Sequence, residues 1–257
     1  MENGTAGGFG LRVVEYAGTA SGIPVAYAGF LLVGMGARVT TLVPPGVPSK
    51  TATTPIDLAL EVLAEGKDTA VCPETAESFS ALLAKTDILL CDAPTAIEPL
   101  LGPVTALNRA YPSLIVGIAT TFGLDGPYAG MVGTGLDAQA LAAVAWSVGE
   151  PGRPPLTLPP GIVEHQSGAQ LAAGCLLAFM TRGGDGAGGQ IVDIALADVL
   201  ASYVAGNCRF YVHHGLEWRR SGRRASGSGG HTPSSFCHAR TARSAFVGEP
   251  AMNGTGW

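Results

Sequence analysis

The chain has 257 residues, 47% of them apolar and 14% charged, and a net charge of −5. That is enough apolar chain for one large domain, or one and a half, and the negative balance argues against a nucleic-acid binder, which carries a basic face. The opening residues have no charged region followed by an apolar run, so no signal peptide is read, and no apolar run reaches the roughly 18 residues that a membrane span needs. The five cysteines, Cys72, Cys91, Cys175, Cys208 and Cys237, are odd in number and form no CxxC pair. Reduced, buried thiols in a cytoplasmic protein fit that pattern better than a disulfide frame or a zinc site.

Taken in order, Leu11 to Tyr16 reads as a strand, GTASGIP (18–24) as a small-residue loop, Val25 to Met35 as an apolar helix closed by Gly36, and Arg38 to Val43 as a second strand. This is a βαβ unit whose loop faces a helix N-terminus, a place that can hold an anion on backbone N–H groups, although the loop is not GxGxxG. Helices follow at Ile56 to Ala64 and Glu74 to Lys85, with strands at Thr69 to Val71 and Asp87 to Cys91. Ala96 to Ala110 is mostly helix, interrupted at Gly102-Pro103, and LIVGIAT (114–120) is a strand apolar enough to be buried on both faces. The spacing then predicts a turn-rich loop at FGLDGPY (122–128), an alanine-rich helix from Leu136 to Val148 and a proline-rich connector, Pro151 to Pro160. Strands alternating with helices predict an α/β fold: a doubly wound, Rossmann-like, mostly parallel sheet flanked by helices.

The stretch after the connector, PPGIVEHQSGAQLAAGCLLAFMTRGGDGAGGQIVDIALADVL (159–200), organises the rest. Pro159, Pro160 and Gly161 cannot continue a helix, so one starts after them, with Glu164 in its first turn. A carboxylate there faces the positive end of the helix dipole. It serves either as a helix-stabilising charge or, beside glycine-rich backbone, as a nucleophile. The helix runs to about Met180, a glycine-dense turn follows Arg182, Gln190 to Leu196 is a strand, and Ala197 to Tyr211 the next helix. From Asn207 the composition turns arginine- and histidine-rich. Residues 1–206 are therefore expected as the large α/β domain, and 207–257 as the start of a second one, incomplete or partly disordered. The histidines His213, His214, His231 and His238 lack the spacing of a metal site.

Six stretches, in order, resemble the family III CoA-transferases, the CaiB/BaiF family: LRVVEY with SGIPVAYAGFLLVGMGARV, EGKDTA, LLAKTDILLCDAPTA, YPSLIVGIATTFGLDGPYAG, GLDAQALAAVAWSVGEPGRPP and GAGGQIVDIAL. FGLDGPYAG and GGQIVDIAL are the most specific. The resemblance implies transfer of coenzyme A from an acyl-CoA to a carboxylic acid, with CoA and acyl-CoA as substrates, no metal and no covalently bound cofactor. In the family an aspartate attacks the thioester, and it lies three residues before a small-Gly pair. Here the pair is Ser167-Gly168 and the matching residue is Glu164, one methylene longer; His165 beside it is expected either to hydrogen-bond a substrate carboxylate or to serve a structural role.

The resemblance also places Ala20 and Ser21 in the loop that meets CoA, and Asp92 and Ala93 where the nucleotide portion lies. Gly227, Gly229 and Gly230 match a glycine loop covering the active site. Val43 and Pro44 replace an acidic residue and a basic one, which leaves Arg38 and Lys67 as the nearest cations for the CoA phosphates. Asp137 and Gln139 match a DxQA helix that caps or packs. Racemases of α-methylacyl-CoA, which share this fold, carry a histidine where this chain has Leu136, so racemase is a minor alternative. A CoA-transferase-like binding or scaffold domain is the other. Family chains are longer, form interlocked homodimers and return to the large domain, whereas this chain is expected to stop inside the small one. No nucleic-acid or membrane partner is expected.

Overall fold

The structure is a computed structural model that describes residues 10–17, 22–45, 54–182, 188–215, 217, 219 and 220, with the backbone of 224–225, 232–233, 235–238 and 243–246. The chain opens with β1 (Arg12–Tyr16), α1 (Ile23–Gly34), β2 (Arg38–Val43), α2 (Pro55–Leu63), β3 (Asp68–Val71), α3 (Ala76–Leu83) and β4 (Ile88–Cys91). Then come α4 (Pro94–Leu101), a 3₁₀ turn (Val104–Ala106), α5 (Leu107–Ala110) and β5 (Ile115–Thr120). Next are α6 (Gly135–Leu141), α7 (Val144–Ser147), α8 (Ile162–Thr181), β6 (Ile191–Ala195), α9 (Leu196–Tyr203) and α10 (Ala205–His214). The short strands β7 (Arg224–Ala225) with β8 (Thr232–Pro233), and β9 (Ser235–His238) with β10 (Arg243–Phe246), make two antiparallel pairs.

Local chemistry explains many of the boundaries. Thr54 caps α2 through a box: its Oγ1 accepts from Asp57 N–H (3.1 Å), and Asp57 Oδ2 accepts from Thr54 N–H (3.0 Å), with Pro55 at the first helical position. Thr75 caps α3 by accepting from Ser78 N–H (3.2 Å). Two expected helices are each split. The alanine-rich run breaks between α6 and α7 because Ala143 takes a left-handed φ of 59°. That conformation costs an L-residue roughly 1–2 kcal/mol, because its Cβ crowds the following carbonyl oxygen. The run from Ala197 breaks at Val204 into α9 and α10.

Two compact units result: Met1–Ala138 with Pro160–Val199, and Gln139–Pro159 with Leu200–Trp257. In the first, six strands form one sheet in the order β3-β2-β1-β4-β5-β6, and every pairing is parallel. The chain builds outward from β1 to β3, returns to β4 beside β1, and continues to β6. The order therefore reverses between β1 and β4, and the crevice at their carboxyl ends is where such sheets bind ligands. The central strands are buried throughout β4 and over most of β5, as parallel strands covered on both faces must be. The exposed edge strand β3 is only four residues long and carries Asp68 and Thr69, which blunts it against pairing with other chains.

A charged network lies inside this unit. Lys67 Nζ donates to Glu15 Oε1 (2.8 Å), Glu15 Oε2 (2.9 Å) and the Ala26 carbonyl (2.7 Å), while Thr41 Oγ1 donates to Glu15 Oε1 (2.6 Å). The two charged side chains are 2% and 1% exposed. Gly66 takes a φ of 76° after α2, and the Lys67 ammonium next to it in sequence lies between α1 and β1. Burial pushes the Glu15 carboxyl up and the Lys67 ammonium down, each opposed by the other's charge. The network joins β1, β2, α1 and the start of β3. Because removing one partner leaves the other charge buried, Lys67→Ala is expected to lower unfolding stability by about 3–5 kcal/mol. The paired replacement Glu15→Leu with Lys67→Met is expected to cost less than that single change; denaturant titrations in which both proteins lose equally would contradict the pairing.

A second ion pair lies at the amino edge of the sheet. Asp87 accepts from Arg12 N–H (3.0 Å) and Nε (3.2 Å) and from Arg182 Nη2 (3.1 Å), while Arg182 Nη1 donates to the Ser113 carbonyl (2.8 Å). Partial burial raises the Asp87 carboxyl, but the Arg12 amide and the two guanidinium groups outweigh it and hold the group below its ordinary value. A depressed carboxyl adds stability that is present above the unfolded value, near about 3.9, and that is lost as pH falls through the lower folded one. Asp87→Asn should therefore reduce stability at neutral pH and flatten the acid limb of a pH series of urea midpoints. An unchanged acid limb would remove Asp87 from that role.

Candidate active site

Helix α8 sets the position of Glu164. Pro159, Pro160 and Gly161 precede it, and Gly161, at φ 86°, is its N-cap. Ser167, fully buried, donates from Oγ to the Val163 carbonyl (2.9 Å) and presents no polar atom to the interface. Gly168 lies against α1: a Cβ there would overlap the Pro24 carbonyl oxygen and stand 3.1 Å from Tyr27 Cβ. The other flank rests on β5, where a Cβ at Gly117 would meet Cys175 Sγ and approach Leu171 Cδ1 to 3.1 Å. The small-Gly pair thus has a packing cause: it lets two helices approach more closely than a side chain would permit. Since α8 leads into the parallel strand β6, it runs back along the sheet from the carboxyl edge, and its first turn stands at that edge.

Glu164 is half-buried in that first turn. Its carboxylate lies against Gly135, the first residue of α6; a Cβ at 135 would overlap Oε1 and come within 3.1 Å of Cδ and 3.4 Å of Oε2. His165 Nδ1 lies 2.6 Å from the Gly161 carbonyl oxygen, which can only accept, so Nδ1 carries a proton. The imidazole also meets the Tyr27 ring edge-on at 4.7 Å. These contacts orient His165 toward its own helix start and toward α1.

The other expected site residues separate. Asp92 and Ala93 follow β4 at the reversal point of the sheet, Asp92 buried and Ala93 the N-cap of α4. They share the carboxyl edge with the α8 first turn. Arg38 opens β2 opposite Arg12, so it sits at the amino edge, away from the end where ligands bind in such sheets. Lys67, expected at the CoA phosphates, has its ammonium inside the protein on Glu15. Ala20, Ser21, Gly227, Gly229 and Gly230 lie outside the described residues. Asp137 accepts from Thr134 N–H and Oγ1 (2.8 Å each), which holds its carboxyl below its ordinary value and caps α6. Gln139 Oε1 accepts from Leu158 N–H (2.7 Å), a packing bond within the second unit.

Two contributors were not singled out from the sequence. Asp193 in β6 accepts from Leu124 N–H (2.8 Å) and ties the loop after β5 to the strand beside it, so FGLDG and QIVDIAL meet. Partial burial, with Asp125 and Asp198 nearby, raises the Asp193 carboxyl against that bond. The other is Gly135; a glycine directly before the LD pair was its only signal. Among the described residues no cluster of ligating side chains could hold a metal ion, and no helix is long and apolar enough to cross a membrane.

The cysteines do not share one environment. Cys91 and Cys175 are buried, and burial pushes each thiol up to about 12, Asp92 adding to this at Cys91. Cys72 is half-buried, also raised by burial, and Cys208 is exposed, contrary to the uniformly buried thiols expected. Iodoacetamide should modify Cys208 in the native protein while Cys91 and Cys175 react only after denaturation. Peptide-resolved mass spectrometry checks this, and equal rates at Cys175 and Cys208 would contradict the packing of α8 on β5.

The chain matches, over residues 9–239, the model of a family described as CoA-transferase family III. Its fold is similar to the crystal structure of a CaiB/BaiF family protein from Brucella suis (TM-score 0.71, 23% identity, covering 86% of this chain and 64% of that one). It is also similar to that of Rv3272 from Mycobacterium tuberculosis (TM-score 0.67, 25% identity, covering 79% of this chain and 58% of that one). The chain thus spans less than two thirds of the length of these structures.

Proposed function

We propose a function from one premise: this chain belongs to CoA-transferase family III. It moves coenzyme A from an acyl-CoA to a carboxylic acid, with Glu164 as the nucleophile. One observation carries this reading. The Glu164 carboxylate stands in the first turn of α8, at the carboxyl edge of the sheet, three residues before the Ser167-Gly168 pair that seats the helix.

The chemistry follows from a carboxylate, which needs no base to activate it. A Glu164 oxygen attacks the thioester carbonyl; the C–S bond breaks and CoA leaves as thiolate, giving a mixed anhydride. The thiolate attacks the glutamyl carbonyl of the anhydride, the donor acid leaves as its carboxylate, and CoA is held as an enzyme thioester. The acceptor carboxylate then attacks that thioester, and the same two steps run in reverse. In this reading Asp92 and Ala93, which follow β4 at the sheet reversal, meet the nucleotide portion of CoA, and Ala20 and Ser21 meet CoA as the family resemblance implies. His165 completes the first turn and orients it. A homodimer in the cytoplasm belongs to the same reading, supported by the family resemblance.

A second reading, CoA binding without turnover, is favoured by the burial of Lys67, which leaves one of the two expected phosphate cations inside the core. One experiment separates them. Incubation with an acyl-CoA and hydroxylamine should leave a hydroxamate on Glu164, detected by peptide mass spectrometry and lost in Glu164→Gln. CoA binding with no adduct on that peptide would leave the binding reading in its place.

A further inference from the structure

A glutamate where the family pattern has an aspartate needs room for one more methylene. In this structure the carboxylate takes that room beside Gly135, where a Cβ would overlap Oε1 and come within 3.1 Å of Cδ. Carbon atoms in contact settle at about 3.5–4.0 Å, so a methyl group and the present carboxylate position exclude one another.

Backbone conformation does not call for glycine at this position. Gly135 is the first residue of α6 and is absent from the glycines with positive φ. In a helix, alanine is the more stable residue. What a side chain at 135 would meet is the Glu164 carboxyl group. Both elements are held independently of that contact. Thr134 and Asp137 bond to each other at the start of α6, and Ala138 N–H bonds the Thr134 carbonyl (3.1 Å). The first turn of α8 is held by His165 on Gly161 and by Gly168 against α1. The overlapping atoms are the free end of a flexible side chain, so the least costly response to a methyl at 135 is rotation of Glu164, with both helices left in place.

We propose that Gly135 is a positioning residue for the nucleophile: its missing side chain is the space in which the Glu164 carboxylate stands when it attacks the thioester. The inference rests on the reading of Glu164 as nucleophile.

The test compares four proteins: the wild type, Gly135→Ala, Glu164→Asp and the double variant. Each is scored for hydroxamate formation at residue 164 with acyl-CoA and hydroxylamine, and for its denaturant unfolding midpoint. Gly135→Ala is expected to slow adduct formation about a hundredfold, the loss typical of an ångström's misplacement, with the midpoint unchanged or raised. Adding Glu164→Asp, which withdraws the carboxylate from the methyl, is expected to recover at least about tenfold of that loss. A role confined to holding α6 would leave the defect untouched by the shorter acid. Labelling of Gly135→Ala at the wild-type rate, or no recovery in the double variant, overturns the proposal. Absence of adduct in the wild type removes the nucleophile reading instead. The midpoints then decide the spatial claim: Gly135→Ala should raise the midpoint more in the Glu164→Asp background than in the wild type, and equal shifts overturn it.

Discussion

The seat of α8 against α1 and β5 governs the rest of the molecule. Gly168 meets the Pro24 carbonyl and Tyr27, and Gly117 meets Cys175 and Leu171, so a single added methyl on either flank would have nowhere to go. Interiors packed to this density are not deformable in small steps. A helix clamped on two sides has its first turn held in register with both neighbours, and that turn carries Glu164. Leu171 and Cys175, both fully buried, make the same clamp energetically worthwhile; burying a leucine side chain contributes about 1.5–3 kcal/mol.

Helix α1 must itself be anchored if α8 is to use it as a reference. The Glu15–Lys67 pair does this from below, because the ammonium bonds the Ala26 carbonyl of α1 as well as the carboxylate of β1. Such a pair is costly to desolvate and is weak evidence for net stability. Its consequence is geometrical: three segments distant in sequence share one ammonium group. At the amino edge of the sheet, Asp87 gathers Arg12 of β1 and Arg182 just past α8. The sheet and its two principal helices are thus tied at two places, and the strand order reverses between β1 and β4.

Much of the fold was legible in the residues. Alternating apolar runs and glycine or proline punctuation located the strands and helices of the first unit to within a few residues. LIVGIAT announced a strand buried on both faces, and β5 is one. The Pro-Pro-Gly break placed the α8 start and with it Glu164. The split helices were not legible, because a left-handed alanine carries no compositional mark. Lys67 is expected from the sequence at the CoA phosphates, since nothing local distinguishes an exposed lysine from one that meets a carboxylate 52 residues away. The clue was its partner: Glu15, an acid inside an apolar strand, has to find a cation if it is buried.

The sequence by itself determined the alternation of strands and helices, the helix start that carries the carboxylate, and the family pattern around it. Those follow from local rules: side-chain periodicity, the fixed φ of proline and the freedom of glycine. Only the tertiary structure decided that the strand order reverses between β1 and β4, that Lys67 turns inward to Glu15, and that Gly135 and Glu164 share one small space. Each of these joins residues far apart in the chain, and contact between them arises only when the packed core leaves no other place for them.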